Sequence, residues 1–123
     1  MPEKPKVLIV DDEEPLRAVL SSELASEGYQ VETAADGDEA IELVQSRPVD
    51  LVLLDIKMPR VDGFEVLRFI KQRYPKIKVI MLTGYADLSS AIDSKRWGAE
   101  DFVSKPYDLF DLLTTIERVL SAE

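Results

Sequence analysis

Short apolar runs alternate along this chain with stretches whose apolar residues recur every three or four positions. Lys6-Val7-Leu8-Ile9-Val10, Asp50-Leu51-Val52-Leu53-Leu54, Val79-Ile80-Met81-Leu82 and Phe102-Val103-Ser104 are runs of the first kind. They predict parallel strands buried on both faces. Tyr29, Val31 and Thr33 alternate as a further, more exposed strand, second in chain order. Between the strands the spacing is helical. Leu16, Val19, Leu20 and Leu24 line one face of a first helix, with Pro15 in its first turn and Gly28 as its stop. Asp36-Gly37-Asp38 forms a turn with capping acids before a helix that turns Ala40, Ile41 and Val44 inward. A third helix uses Leu67 and Ile70 and closes at Pro75. A short fourth uses Leu88, Ala91 and Ile92, with Gly98 as its cap. Leu109, Leu112, Leu113, Ile116 and Leu120 mark the last helix.

Strand and helix thus alternate five times. Right-handed crossovers place helices on both faces of the sheet. The expected fold class is α/β: a flavodoxin-like, doubly wound (βα)5 domain with a five-stranded parallel sheet in the order 2-1-3-4-5. In such sheets ligands bind beyond the carboxyl ends of the strands, at the point where the order reverses. That point falls between Asp11-Asp12, after the first run, and Asp55, after the third. The fourth run ends at Thr83 and the fifth at Lys105-Pro106. Three carboxylates, a hydroxyl and an ammonium therefore converge on one small region.

Composition narrows the chemistry. At 123 residues, 46% hydrophobic and 32% charged, the chain reads as a single domain over residues 1–123 with no output domain within it. It is long enough to bury roughly two thirds of its unfolded surface. No apolar run approaches the ~20 residues that span a bilayer, and nothing near Met1 resembles a secretory signal. With no cysteine, disulfides, zinc-thiolate sites and thiol catalysis are excluded, in keeping with a cytoplasmic location. The absence of histidine removes the commonest general base and any phosphohistidine within the chain. Twenty-four acids against fifteen bases leave a charge of −9, and no block of Lys and Arg supplies a nucleic-acid surface.

Each candidate residue has an ordinary alternative. An Asp before a helix serves as its N-cap, but one suffices. Two adjacent carboxylates facing a third repel by about 4 kcal/mol per pair at ~4 Å and an effective dielectric of ~20. A Mg²⁺ ion relieves this and favours a few carboxylates with waters and phosphate oxygens. Asp55 alone would be a strand-end acid; beside a divalent metal, its carboxylate can attack phosphorus and form an aspartyl phosphate. Thr83 either ends a strand or offers its hydroxyl to a phosphoryl oxygen. Lys105 either packs its stem on the sheet or points inward, as a cis Lys105–Pro106 bond would make it.

Val7-Leu8-Ile9-Val10-Asp11-Asp12-Glu13, Leu54-Asp55-Ile56-Lys57-Met58-Pro59 with Asp62-Gly63, Met81-Leu82-Thr83-Gly84, and Gly98-Ala99-Glu100-Asp101-Phe102 through Lys105-Pro106 together resemble the receiver domain of a two-component response regulator. The resemblance covers nearly the whole chain. It implies that Asp55 accepts a phosphoryl group from a phosphohistidine on a sensor histidine kinase or phosphotransfer protein, or from a small donor such as acetyl phosphate. It implies that Asp12, Asp55 and the main-chain carbonyl of Lys57 ligate Mg²⁺, with Asp11 acting mostly through water. Lys105 would pair with the phosphoryl oxygens, Thr83 would swing toward them, and Phe102 would be the aromatic switch. Lys57, Gly84 and Tyr85 would tune phosphate lifetime and kinase choice. The switched surface would be the fourth helix, fifth strand and fifth helix, facing an output domain or a downstream protein.

Two rivals use similar parts. A haloacid dehalogenase-class phosphatase needs a second acid two residues after its nucleophile, where this chain has Lys57. A flavodoxin-like cofactor binder needs a Ser/Thr/Gly-rich phosphate loop, where this chain has Asp11-Asp12-Glu13-Glu14. The expectation is therefore a signalling phosphoacceptor and not an enzyme with an external substrate. The stretches 55–60 and 83–87 resemble receivers of enhancer-binding transcription regulators. Lys95, Arg96, Glu100, Asp101 and Arg118 fit either charges that pair two receivers in a phosphorylation-dependent homodimer or a solvated charged face. Trp97 fits either a packing role at the end of the fourth helix or a partner surface.

Overall fold

The computed structural model of the chain describes residues 4–58, 60–84 and 88–122. Five strands and five helices alternate: β1 (Lys6–Val10), α1 (Glu14–Ser26), β2 (Gln30–Ala34), α2 (Gly37–Ser46), β3 (Leu51–Asp55), α3 (Gly63–Arg73), β4 (Lys78–Thr83), α4 (Leu88–Arg96), β5 (Asp101–Ser104) and α5 (Leu109–Ser121). All strand pairs are parallel and the sheet runs β2-β1-β3-β4-β5, the order expected from the alternation.

The period-two alternation of the strands divides the core. Leu8, Val10, Val52, Leu54, Val79 and Met81 face α2 and α3, meeting Ala40, Val44, Val66, Leu67 and Ile70. Val7, Ile9, Leu51, Leu53, Ile80 and Leu82 face α1 and α5, meeting Leu20, Leu24, Leu112, Ile116 and Val119. Every residue of β3 is buried, because it is the central strand with helices on both sides. Each fully buried Leu or Ile contributes roughly 1.5–3 kcal/mol. The sheet therefore makes a rigid frame for whatever sits at its edge.

Helix ends follow local chemistry. Asp36, Asp62 and Asp108 accept hydrogen bonds from the first-turn N–H groups of Glu39, Glu65 and Phe110, at 2.9, 3.0 and 2.8 Å. Gly28 and Gly98, with φ of +98° and +102°, end α1 and α4 in the left-handed conformation that glycine favours. α3 stops at Arg73, two residues before Pro75.

Two helical faces differ from their expected pattern. Val19 is 60% exposed although it shares the apolar spacing of α1, because only Leu20 and Leu24 point at the sheet. Ile92 on α4 is 52% exposed; the side chains of Leu88 and Ala91 lie outside the described residues. Among the described residues no helix is long and apolar enough to cross a membrane.

Candidate functional site

The register Val10↔Leu54, Asp55↔Leu82 and Thr83↔Ser104 aligns the ends of four strands on one edge. Asp11, directly after β1, has no exposed surface. Its Oδ1 accepts a hydrogen bond from Glu13 N at 2.8 Å, and its Oδ2 accepts one from Lys105 Nζ at 2.8 Å. Asp12 is exposed. Asp55, 6% exposed, ends β3; its Oδ1 accepts a hydrogen bond from Lys57 N at 3.2 Å, and Lys105 Nζ stands 3.6 Å from its Oδ2. One carboxylate oxygen from each of Asp11, Asp12 and Asp55 lies within 4.8 Å of the others. The expected convergence of acids and ammonium is present.

Burial raises the Asp55 carboxyl to about 6. Lys105 opposes the rise, Asp11 adds to it, the Lys57 N–H opposes it, and Asp12 adds a little more. Burial alone would lower the Lys105 ammonium, but its hydrogen bond to Asp11 and the charges of Asp55, Asp11 and Glu13 outweigh it and raise the group. Three acids against one cation leave negative charge at the edge. Such an all-oxygen donor set, with room for water at the exposed Asp12, fits a hard divalent cation such as Mg²⁺.

Two close packings hold this geometry. A Cβ on Gly63 would lie 2.3 Å from the Asp55 carbonyl oxygen and 2.7 Å from Ile56 Cα, so the start of α3 presses on the backbone that carries Asp55. Gly63 N also donates to Ile56 O at 2.8 Å. By contrast, a Cβ on Gly84 would meet nothing within 4 Å, so the approach beside Thr83 is open. There a cleft of about 450 Å³ is lined by Glu13, Leu16, Gly84, Lys105, Pro106 and Tyr107. The Lys105–Pro106 peptide bond is cis.

Thr83 closes the β4 backbone as expected, but its side chain and the whole of Tyr85 lie outside the described residues. Phe102 is half-buried in β5 against the core shared with α2 and α3. Glu100 differs from the other charged residues named with it. Its Oε1 accepts a hydrogen bond from Val79 N at 2.7 Å and its Oε2 one from Lys71 Nζ at 2.9 Å, which ties α3 and β4 to the start of β5. Asp101 pairs with Arg118 and lies 4.0 Å from Lys95 Nζ, all within one chain. The Arg68 guanidinium stacks 4.4 Å from the centre of the Trp97 ring, which stays 40% exposed.

One residue at this edge carried no sequence signal. Tyr107 has a buried hydroxyl beside the acids; burial, then Asp11 and Asp55, push its phenol up to about 12. A tyrosine after Lys-Pro is unremarkable as a string of letters. Only the fold shows where its hydroxyl lands.

Comparison with known proteins bears on the whole chain. Residues 7–117 match the family model for the response regulator receiver domain. Over 115 residues the chain is 38% identical to the DNA-binding transcriptional regulator NtrC of Escherichia coli K12, covering 94% of this chain and 24% of NtrC. Chemotaxis protein CheY4 of Vibrio cholerae superposes with a TM-score of 0.90 at 36% identity, over 94% of this chain and 98% of that one. Response regulator protein TrrA of Thermotoga maritima, solved in complex with Mg²⁺-BeF, gives 0.86 at 36% identity, over 94% and 98%. The chain spans about a quarter of the length of its NtrC-type relatives. The match begins in β1 and ends in α5, so it takes in every element of the fold, and the chain belongs to the response regulator receiver domain family of two-component signalling.

Proposed function

We propose that Asp55 is the phosphoacceptor of this receiver and that a phosphohistidine on a sensor histidine kinase or phosphotransfer protein is its donor. The observation that carries this is the cluster of Asp11, Asp12 and Asp55 with the Lys105 ammonium between Asp11 and Asp55. Near neutral pH an acid with a pKa of about 6 is mostly ionised, so Asp55 can act as a nucleophile. A carboxylate oxygen attacks phosphorus, the P–N bond breaks, and its electron pair leaves with the imidazole nitrogen of the donor.

Asp12, Asp55 and the Lys57 carbonyl would hold Mg²⁺, with Asp11 acting mostly through water. The bound ion would supply positive charge beside the transferring phosphoryl oxygens. Lys105 offers those oxygens a charge-assisted hydrogen bond and Thr83 a hydroxyl. Gly84 leaves the approach open to the donor, and Lys57 and Tyr85 would tune phosphate lifetime and kinase choice.

The phosphate brings roughly −1.5 to −2 charge and three acceptor oxygens. Drawing Thr83 and Lys105 toward it, with Phe102 turning inward, would bias the surface of α4, β5 and α5. A shift from 1:99 to 99:1 needs about 5.5 kcal/mol, within reach of a few charge-assisted bonds near ~2 kcal/mol each. That surface would control an output domain or downstream protein. Its Asp101–Arg118 and Lys95–Asp101 pairs would have to exchange partners for a phosphorylated homodimer to form. In this reading the chain acts in the cytoplasm as one receiver unit, turns over no external substrate and binds no nucleic acid itself.

Intact mass after incubation with acetyl phosphate and Mg²⁺ tests the proposal. One phosphoryl group should be gained, and none by Asp55→Asn or in EDTA. Gain by Asp55→Asn at the wild-type level would move the acceptor elsewhere.

A further inference from the structure

Lys105 has two partners to serve. Its ammonium donates to Asp11 Oδ2 at 2.8 Å and stands farther, 3.6 Å, from Asp55 Oδ2. Once Asp55 carries a phosphoryl group, Lys105 must turn toward it. Asp11, with no exposed surface, then loses a buried charge-assisted bond. Glu13 N still serves Oδ1, but Oδ2 is left without its donor, and a buried carboxylate oxygen without one is disfavoured. The modified state therefore calls for a replacement.

Tyr107 is the group at hand. It lies two residues beyond Lys105, and its ring packs against the cluster that includes Ile9, Leu53 and Leu82, on the α1 and α5 side of the sheet. It lines the same cleft as Lys105, Glu13 and Gly84. Among the described residues, its hydroxyl is the one buried side-chain polar atom that makes no hydrogen bond. A phenylalanine would fill this space without leaving a polar atom unpaired. Burial first, and then the charges of Asp11 and Asp55, hold the proton on the phenol, so it is available as a donor.

We infer that Tyr107 is a positioning residue whose hydroxyl takes over the hydrogen bond to Asp11 when Lys105 turns to the phosphorylated Asp55. The inference rests on the phosphoacceptor reading of Asp55. In the unmodified chain the hydroxyl is buried and unbonded; in the modified chain it keeps Asp11 paired. The exchange favours the modified state, and the sequence Lys105-Pro106-Tyr107 carries both the departing donor and its replacement.

Tyr107→Phe removes the hydroxyl and little else. At saturating Mg²⁺, calorimetric titration with beryllofluoride as the phosphoryl mimic should show the variant binding about fivefold more weakly, the worth of one net hydrogen bond. Mg²⁺ affinity without beryllofluoride should stay within twofold, since Lys105 still holds Asp11. Thermal stability in EDTA should match or exceed the wild type. In an Asp11→Asn background the effect of Tyr107→Phe should shrink toward nothing. Equal beryllofluoride affinity overturns the inference. So does an equal loss of Mg²⁺ affinity, or a variant less stable in EDTA, since either means the hydroxyl already works in the unmodified chain. If wild type binds beryllofluoride and gains mass with acetyl phosphate while the variant matches it, only the role of Tyr107 falls. If wild type does neither, the phosphoacceptor reading falls and takes the inference with it.

Discussion

Lys105 Nζ lies 2.8 Å from Asp11 Oδ2 but 3.6 Å from Asp55 Oδ2, so the wholly buried acid after β1 holds the cation more closely than the acid that ends β3. The cation balances both. Lys105→Met should therefore destabilise the metal-free protein by about 2 kcal/mol at pH 7, below the usual loss for a broken buried pair because Asp12 and the edge remain hydrated. Urea unfolding in EDTA measures this. The loss should shrink at pH 5, where Asp55 is largely protonated; an equal loss at both pH values would mean that Lys105 stabilises through Asp11 or by packing and not through Asp55.

Asp55 ties stability to pH. Its carboxyl is raised from 3.8 to about 6 in the folded chain, so the folded state holds the proton more tightly than the unfolded one. The stability this contributes is fully present below pH ~3.8 and is lost as pH rises through ~6. Discounted for solvent screening, the effect is about 1–2 kcal/mol. In EDTA at pH 7.5, Asp55→Asn should thus melt higher than wild type, and the gap should close toward pH 4.5. Mg²⁺ should raise the melting temperature of wild type more than that of the variant. A variant less stable than wild type in EDTA at pH 7.5 would contradict this assignment.

Gly63 and Gly84 should respond oppositely to the same added methyl. At Gly63 it meets the Asp55 carbonyl oxygen at 2.3 Å, so Gly63→Ala should cost about 2–3 kcal/mol and slow acetyl-phosphate uptake by shifting the acceptor backbone. At Gly84 the space is open, and Gly84→Ala should leave unfolding within about 0.5 kcal/mol of wild type. Denaturant unfolding of the two variants side by side decides the matter.

Arg60 adopts φ of +68°, in the left-handed region, in the loop between β3 and α3. Its guanidinium pairs with Asp36 at 2.9 Å, an exposed contact of small value. Arg60→Gly should come out near neutral, since relief of backbone strain offsets the lost pair and the added freedom of the unfolded chain. Arg60→Val should lose about 1–2 kcal/mol, because a β-branched side chain tolerates this conformation least. Equal stability of the two variants would show that the loop yields to either residue.

Much of the scaffold was legible because parallel strands covered on both faces must be apolar throughout. Val7 to Val10 and Leu51 to Leu54 allow few other readings, and the acids that follow them mark the sheet edge. The helical faces were less legible. Val19 and Ile92 share the apolar spacing of their helices yet are exposed, and periodicity does not say how wide a stripe the sheet will cover. Glu100 looked like one more surface charge, and only the approach of α3 to β4 turns it toward Lys71 and Val79 N. Tyr107 was missed for a similar reason. Which charges surround a buried hydroxyl depends on residues far away in the chain, here Asp11 and Asp55.

The bond between Lys105 and Asp11 joins positions 94 residues apart. During synthesis, loops that long close last, after local helices and neighbouring strands have formed. A chain ending anywhere before β5 would leave Asp11 and Asp55 without the cation they share. The acidic edge is thus completed only when β5 and the residues that follow it have joined the sheet.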